Sequence, residues 1–211
     1  MIKINKEFAV SIFKREINYL KDAIKNSENP FHFFYFSSLN DKNPELRTLV
    51  LRNIEFNPIK LFFNTDIRSK KIVQLKKNKL CSALFYDNKR RMQLRINCKA
   101  TICHNNEFTK KNWDKTPLQS RKCYMAPYAP GVELNKWEPN LPKKYLECDP
   151  EKNDSMQGYK NFSIVKLEAQ RLVWGLTQMP NLSSLMKSII SSKISEILST
   201  DIFLRFWKNC F

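Results

Sequence analysis

The chain has 211 residues, 42% hydrophobic and 12% aromatic, so it can bury a core rather than remain disordered. Lys and Arg outnumber Asp and Glu by 37 to 20, a net charge of +17 that attracts polyanions, although lysines scattered over solvated faces give the same total. Only three glycines occur, and neither G-x-x-x-x-G-K-[ST] nor G-x-G-x-x-G is present. This argues against nucleotide loops of the Walker and Rossmann types.

The cysteines and histidines do not have the spacing of a metal site. There are six cysteines and two histidines, and no C-x-x-C pair occurs. We therefore expect no metal, and reduced thiols in a cytoplasmic protein. The N-terminal residues lack the apolar core of a signal peptide, and no apolar run reaches the roughly 18 residues that span a bilayer, so we expect no membrane partner.

Hydrophobic periodicity predicts a mainly β protein with flanking helices. An amphipathic helix is expected at residues 6–27, and further helices at 68–78 and 105–116. Strands are expected at 31–38, 47–54, 60–64, 80–86, 92–102 and 162–176, with a long loop at 126–160. Strands of this length, joined by turns and short helices, indicate a small antiparallel barrel. No domain boundary is apparent, so we expect a single domain over residues 1–211.

The segment 65–71 (TDIRSKK) is a candidate phosphate site, because it lies after an apolar strand and before a helix. A helix N-terminus exposes unpaired N–H groups and favours anions. The segment supplies hydroxyl donors and cations, namely Thr65, Arg68, Ser69, Lys70 and Lys71. Arg47, on a neighbouring strand, could complete a bidentate clamp. The alternative is an ordinary helix start with a solvated basic first turn.

Gln93 and Arg95 lie on the polar face of the strand at 92–102. The amide of Gln93 could donate to and accept from the edge of a flavin ring. Polar side chains on a wet strand face are the alternative for both residues.

Four motifs, taken in chain order, resemble the FMN-binding split barrel of the pyridoxamine 5′-phosphate oxidase family. They are RTLVLR at 47–52, FFNTDIRSKK at 62–71, FYD at 85–87, and QLR at 93–95 followed by Ala100. The resemblance implies a split β-barrel core over residues 30–176, FMN as the cofactor, and a small-molecule substrate. It also implies a homodimer with FMN at the subunit interface.

The resemblance assigns roles to particular residues of this chain. It implies that Arg47, Ser69 and Lys71 hold the FMN phosphate, with Arg68 or Lys70 assisting. The residues expected along the ribityl chain and the ring are Thr48, Leu49, Val50, Asn64 and Thr65. Gln93 is expected at the isoalloxazine edge, in a site that the second subunit completes. The residues expected to bind substrate are Arg52, Arg95 and Arg121.

The chain departs from the family pattern where the oxidases bind the substrate phosphate. Arg52 stands in place of a Lys, so charge is kept while geometry is not. Asn112 and Thr116 stand in place of Tyr and Arg and cannot neutralise a phosphate. Residues 177–211 diverge from the family's closing strand, and the sequence after Trp174 predicts a Ser-rich amphipathic helix.

Three functional hypotheses follow from these observations. The first, which we favour, is an FMN-dependent oxidoreductase of unknown substrate. The second is a flavin-binding protein without turnover. The third is a basic nucleic-acid-binding barrel, and we consider nucleic acid the weakest of these partners.

Overall fold

The computed structural model describes residues 6–41, 43–177 and 183–188, with side chains described from 14 to 41 and from 43 to 173. Within these ranges the strands are β1 (Phe33–Asn40), β2 (Asn43–Val50), β3 (Asn53–Phe56), β4 (Ile59–Asp66), β5 (Leu80–Asp87), β6 (Met92–His104), β7 (Phe162–Thr177) and β8 (Ser183–Ser188). The helices are α1 (Lys6–Ala23), α2 (Lys70–Lys77), α3 (Glu107–Lys115), α4 (Leu118–Lys122) and α5 (Lys152–Ser155). No helix among the described residues is long and apolar enough to cross a membrane.

The strands form one antiparallel sheet in the order β2-β1-β5-β6-β7-β4-β3, with β8 paired to β7. The 16-residue β7 organises this sheet, because β6 pairs along nearly its whole length. On its other side, β4 pairs with residues 162–168, and β8 pairs with residues 172–177. The mainly β prediction is confirmed.

Aromatic contacts between strands that are not neighbours show that the sheet curls around an interior. Phe34 and Phe36 of β1 lie with their ring centroids 6.1 and 5.3 Å from that of Phe63 on β4. Phe85 of β5 stacks on Phe34 at 5.2 Å, and all four rings are fully buried. Such burial is worth about 1.5–3 kcal/mol for each large apolar side chain. The two ends of the sheet therefore share one barrel core.

Two sequence predictions are corrected by the strand pairing. Residues 47–54, expected as one strand, are divided between β2 and β3 at Leu51 and Arg52. The amide of Leu51 donates to the carbonyl of His32, beside β1, and that of Arg52 donates to Phe62 on β4. The chain thus changes partner strand at this corner, which a continuous apolar pattern does not reveal.

The second correction concerns the C-terminal segment 177–211, expected as a helix. Its described part, residues 183–188, is a strand on the edge of β7 that β4 leaves free. The remainder of the predicted helix, at 178–182 and 189–211, lies outside the described residues. The proposed domain limits stay a prediction.

A buried ionic cluster fastens α1 to the turn between β5 and β6. Arg90 donates to the fully buried Glu16 at 2.7 Å and to the nearly buried Asp87 at 2.5 Å. Its guanidinium lies 3.5 Å from the ring centroid of Tyr19, whose hydroxyl donates to Asp87. Burial raises the pKa of Asp87, but hydrogen bonds from Arg90 and Tyr19 outweigh it, so the pKa is lowered overall. Arg90 therefore joins α1 to the turn between β5 and β6.

Candidate functional site

The turn between β4 and α2, residues 66–69, brings the hydroxyls of Thr65 and Ser69 together. The amide of Ser69 donates to the carbonyl of Asp66 at 3.1 Å, which closes the turn and places Ser69 at the N-cap of α2. The Ser69 hydroxyl does not cap the helix but lies 3.3 Å from Thr65 Oγ1. Both side chains are buried. The first turn of α2 therefore has no side-chain cap, and since the Ile72 amide donates to the Ser69 carbonyl at 3.0 Å, the amides of Lys70 and Lys71 are the ones that face an anion at this end.

Lys71 points its ammonium group at this pair of hydroxyls. Its Nζ donates to Thr65 Oγ1 at 3.2 Å, and it makes no ion pair with any side chain in the described part of the protein. Burial lowers the pKa of Lys71, and the positive charge of Arg47 lowers it further, while Asp66 opposes the shift. Lys71 is thus a half-buried cation that lacks an anionic partner.

Arg47 approaches the same place from β2, held by a polar group on α2. Its two terminal nitrogens donate to Gln74 Oε1 at 3.3 and 3.2 Å, and one of them donates to the buried Ser38 hydroxyl at 3.1 Å. The other donates to a Glu45 carboxylate oxygen at 2.7 Å. Burial lowers the pKa of Arg47, and Glu45 partly offsets this. Gln74 and Ser38 therefore fix the guanidinium beside Lys71.

Two neighbouring cations, two hydroxyls and a helix N-terminus are the donor set that a phosphate monoester requires. The positive charge of Arg47 contributes to the lowered pKa of Lys71, and an anion shared by the two cations would relieve this repulsion. The residues present therefore fit the phosphate of FMN. Glu45 is a competitor for Arg47, but its side chain is 37% exposed and can turn away into water.

Arg68 and Lys70 are placed differently from the other residues of the segment. Arg68 forms a two-point ion pair with Asp66, with Nε 3.0 Å from Oδ1 and Nη2 2.7 Å from Oδ2. It also donates to the carbonyl of Ala126 at 3.0 Å. Lys70 is exposed. The geometry therefore brings Arg47, Ser69 and Lys71 together and directs Arg68 elsewhere.

The residues expected along the flavin are distributed over both faces of their strands. Asn64 and Thr65 are consecutive in β4, so their side chains point to opposite faces. Thr65 faces Lys71, whereas Asn64 lines a separate cleft. In β2, Leu49 packs against the barrel core, while Thr48 is exposed and Val50 half-buried on the outer face.

Gln93 and Arg95 lie on the outer face of the sheet, far from the candidate phosphate residues Arg47, Ser69 and Lys71. Gln93 pairs with Tyr86, and Arg95 pairs with Leu84, which in turn pairs with Tyr35 of β1. Three strand spacings separate β6 from β2, a distance of about 14 Å. The same face carries exposed apolar side chains, namely Phe33, Tyr35, Leu46, Leu80 and Tyr86.

A cleft of about 390 Å³, lined by both polar and apolar side chains, opens beside Asn64. Its wall consists of Arg52, Asn53, Phe62, Asn64, Phe108, Asn112, Lys115, Thr116, Pro117, Ser120, Cys123, Tyr124 and Ile164. Arg52 and Lys115 are its cations, and no carboxylate lines it in the described part of the chain. Burial raises the pKa of Tyr124, while the charge of Arg52 lowers it. The cleft is suited to a small anionic molecule.

The helix α3 presents acceptors to this cleft. The Asn112 amide nitrogen donates to the Phe108 carbonyl at 2.8 Å, which leaves Asn112 Oδ1 as the free end of the side chain. The Thr116 hydroxyl donates to the Asn112 carbonyl at 2.9 Å. Asn112 and Thr116 thus line the cleft, and neither carries a positive charge that would neutralise a phosphate.

Arg121 does not line the cleft, although it was expected to bind substrate. It is 2% exposed, and its nitrogens donate to the carbonyls of Thr116 and Asp114 and to the hydroxyl of Ser155. Its guanidinium also lies 5.0 Å from the Trp113 ring. Arg121 therefore holds α3, α4 and α5 together behind the cleft.

Sequence reasoning missed Gln74, Lys115 and Tyr124. Gln74 carried a detectable signal, because a polar residue between Ile72 and Leu75 on the buried side of α2 needs a polar partner. Lys115 and Tyr124 carried none, since only the tertiary fold brings them to Arg52.

The comparisons with known proteins cover the motifs at the phosphate site. A family model described as the pyridoxamine 5′-phosphate oxidase FMN-binding domain matches residues 15–104. Pyridoxine/pyridoxamine 5′-phosphate oxidase 2 of Arabidopsis thaliana is 34% identical over 99 residues, which cover 44% of this chain and 50% of that protein. The chain thus spans about half the length of the curated relative it matches.

Two solved structures share the fold over most of the chain. A pyridoxamine 5′-phosphate oxidase-related, FMN-binding protein from Nostoc punctiforme PCC 73102 has a TM-score of 0.58 at 19% identity, with 79% of this chain and 84% of that chain covered. PhzG from Burkholderia lata 383, in complex with tetrahydrophenazine-1-carboxylic acid, has a TM-score of 0.63 at 14% identity, with 87% of each chain covered. Identities this low establish the fold alone. The match of residues 15–104 and the shared split-barrel fold therefore make this chain similar to the pyridoxamine 5′-phosphate oxidase-related, FMN-binding proteins.

Proposed function

We propose that this protein binds FMN, with the phosphate held by Arg47, Ser69 and Lys71, and acts as an oxidoreductase on a small anionic substrate. The observation that carries the proposal is the pair of close, half-buried cations, Arg47 and Lys71, of which Lys71 has no carboxylate partner in the described chain. Charged groups are rarely buried unless they are paired, and Glu45 pairs with Arg47 alone, so Lys71 favours a further anion beside Arg47.

The position of Gln93 supports a homodimer. Gln93 lies on the outer face of the sheet, about 14 Å across the sheet from β2, whereas Arg47 points to the opposite face, toward Gln74 of α2. The outer face that carries Gln93 also exposes Phe33, Tyr35 and Tyr86, which are between 42% and 48% exposed. A second copy packed on this face would bury these rings and bring its own Gln93 to the flavin.

When bound, FMN supplies hydride or electron transfer, so no side chain of this chain has to act as a nucleophile. The residues of the chain bind and orient the cofactor and the substrate. Arg52 and Lys115 attract an anionic group into the cleft, and Tyr124, whose pKa is raised by burial, stays a neutral hydrogen-bond donor at physiological pH.

The acceptors on α3 support a substrate other than a phosphate monoester. Asn112 Oδ1 and the Thr116 hydroxyl oxygen repel phosphate oxygens and accept from an N–H or O–H group. This observation also favours the second candidate, a flavin-binding protein without turnover on pyridoxamine 5′-phosphate. The two candidates differ in whether bound flavin is reduced and reoxidised in the presence of a substrate.

The visible absorbance spectrum of the freshly purified protein tests FMN binding. Flavin bands near one per chain are expected, either as isolated or after addition of FMN. The double variant Arg47→Ala/Lys71→Ala should lose them, while Lys70→Ala, which removes an exposed cation from the same helix turn, should keep them.

A colourless wild type that does not respond to added FMN would refute the proposal. Retention of the flavin bands by the double variant would show that the flavin binds at a site other than Arg47 and Lys71. Equilibrium sedimentation of wild type and of Tyr35→Glu tests the dimer, because a charge in the centre of the outer face should give monomers if that face is the interface.

A further inference from the structure

The ion pair of Asp66 and Arg68 lies between the phosphate turn and the wall of the cleft. Asp66 is 4% exposed, and its Oδ1 also accepts from the Arg68 amide at 2.8 Å. Arg68 reaches beyond Asp66 to the carbonyls of Ala126 at 3.0 Å and Pro127 at 3.4 Å, 58 and 59 residues further along the chain. A single guanidinium thus joins two distant segments.

A second connection runs parallel to this one. The amide of Ile67 donates to the carbonyl of Asn161 at 2.8 Å, and the side chain of Asn161 donates to the carbonyl of Tyr124 at 2.7 Å. Residues 123–127 are therefore tied to the turn at 66–69 both through Arg68 and through Asn161. Cys123 and Tyr124, at the start of this segment, form part of the cleft wall.

We propose that Arg68 is a positioning residue that fixes cleft wall 123–127 to the phosphate turn, so that binding of the FMN phosphate at the turn orders the cleft wall. This inference rests on the proposed function for its cofactor. It gives Arg68 a role distinct from assisting the phosphate directly, because its nitrogens are already engaged by Asp66 and by the two carbonyls. Arg47 and Lys71 bind the FMN phosphate, and Arg68 transmits the ordering of the phosphate turn to cleft wall 123–127.

The positioning role of Arg68 requires the shape of its guanidinium group. The guanidinium is planar and offers donors in two directions, so it can serve a carboxylate and a carbonyl together. A lysine at this position keeps the charge beside Asp66 but has one ammonium group for both partners. Arg68→Lys should therefore weaken the connection to the carbonyls of Ala126 and Pro127 without leaving a buried carboxylate unpaired, while the connection through Asn161 remains.

Hydrogen exchange read by mass spectrometry on peptides that cover residues 123–127 tests the proposal. The matched control is Arg90→Lys, since Arg68 and Arg90 are 27% and 28% exposed and each bonds a buried aspartate. Without FMN, Arg68→Lys should speed exchange in the cleft wall about tenfold, as the loss of one charge-assisted hydrogen bond allows, while Arg90→Lys should leave it unchanged. With saturating FMN, exchange there should slow in wild type and Arg90→Lys but not in Arg68→Lys.

The affinity for FMN, measured by quenching of flavin fluorescence, separates positioning from phosphate binding. Arg68→Lys should change the dissociation constant by less than about threefold. A loss as large as that of Lys71→Met would make Arg68 a phosphate ligand and overturn the inference, as would wild-type exchange rates in Arg68→Lys. If wild type does not bind FMN, the proposed function fails, and the exchange without FMN still decides whether Arg68 positions the cleft wall.

Discussion

Replacing Lys71 with methionine should weaken FMN binding and at the same time stabilise the FMN-free protein. The ammonium group of Lys71 has one hydrogen bond, to Thr65 Oγ1 at 3.2 Å, and faces the positive charge of Arg47. Methionine has nearly the same length and apolar stem but carries no charge. The variant thus removes a phosphate ligand and an unfavourable repulsion in one step.

The size of the loss in affinity follows from the hydrogen bond that a phosphate would receive. A hydrogen bond to a charged group contributes about 1.5–3 kcal/mol, which corresponds to about a 10- to 150-fold rise in the dissociation constant. Fluorescence titration of FMN at constant ionic strength measures this rise in the dissociation constant. Lys70→Met, at the exposed position beside it, should change the dissociation constant by no more than a few-fold.

The gain in stability should depend on pH in a defined direction. Burial and Arg47 lower the pKa of Lys71 below its ordinary value of 10.5, so the folded protein binds this proton more weakly than the unfolded chain. Wild type therefore gains stability relative to Lys71→Met as pH rises from the lowered pKa to 10.5. Urea unfolding of the FMN-free proteins should show the variant's advantage at neutral pH and its reduction at about pH 10.

Opposite results would refute this reasoning. If Lys71→Met binds FMN as tightly as wild type, the phosphate does not lie at Lys71. If the variant is less stable than wild type at neutral pH, the ammonium group is favourably solvated and needs no anion.

Three further outcomes are expected. Glu45→Gln should lower the dissociation constant for FMN about two- to fivefold in the same titration, because the half-exposed carboxylate competes for Arg47; unchanged or weaker binding would contradict this. Arg90→Ala should cost about 3 kcal/mol in urea unfolding, with the affinity for FMN unchanged, because buried Asp87 loses its cation and buried Glu16 keeps only Arg15; a cost near zero would mean that the cluster is not buried in solution. Burial raises the pKa of Cys81 to about 12 and also raises that of Cys98, so a disulfide reagent should label exposed Cys123 and Cys148 before these two, and loss of fast labelling in Cys81→Ala would count against the barrel core.

Most strands of the barrel could be predicted because each has either alternating polar and apolar residues or a continuous apolar run. Buried and exposed residues alternate along most of β6, as a half-buried strand requires. The corner at Leu51 and Arg52 could not be predicted, because it is defined by a change of partner from β1 to β4 and both sides of it have strand character. The edge that β8 occupies likewise exists only once β4 has paired with part of β7.

The candidate phosphate site could be proposed from the sequence because its chemistry is local. Thr65, Ser69 and Lys71 lie within one strand–turn–helix unit, and the helix start itself predicts anion binding. The role of Arg68 was not accessible, since its carbonyl partners are 58 and 59 residues away. The sequence shows that an arginine is charged but not which groups of the folded protein already bind it. The same applies to Arg121, which is buried behind the cleft and bonded to backbone carbonyls.

The affinities of this protein for FMN and for riboflavin, compared in one buffer, test the central claim most directly. The two ligands differ by the phosphate alone, and the account assigns that phosphate to Arg47, Ser69 and Lys71. We expect FMN to bind at least about 100-fold more tightly in wild type, as two or more charge-assisted hydrogen bonds imply, and the ratio to fall towards unity in Arg47→Ala/Lys71→Ala. Equal affinities for the two flavins in wild type would contradict the account, because the phosphate would then contribute nothing to binding.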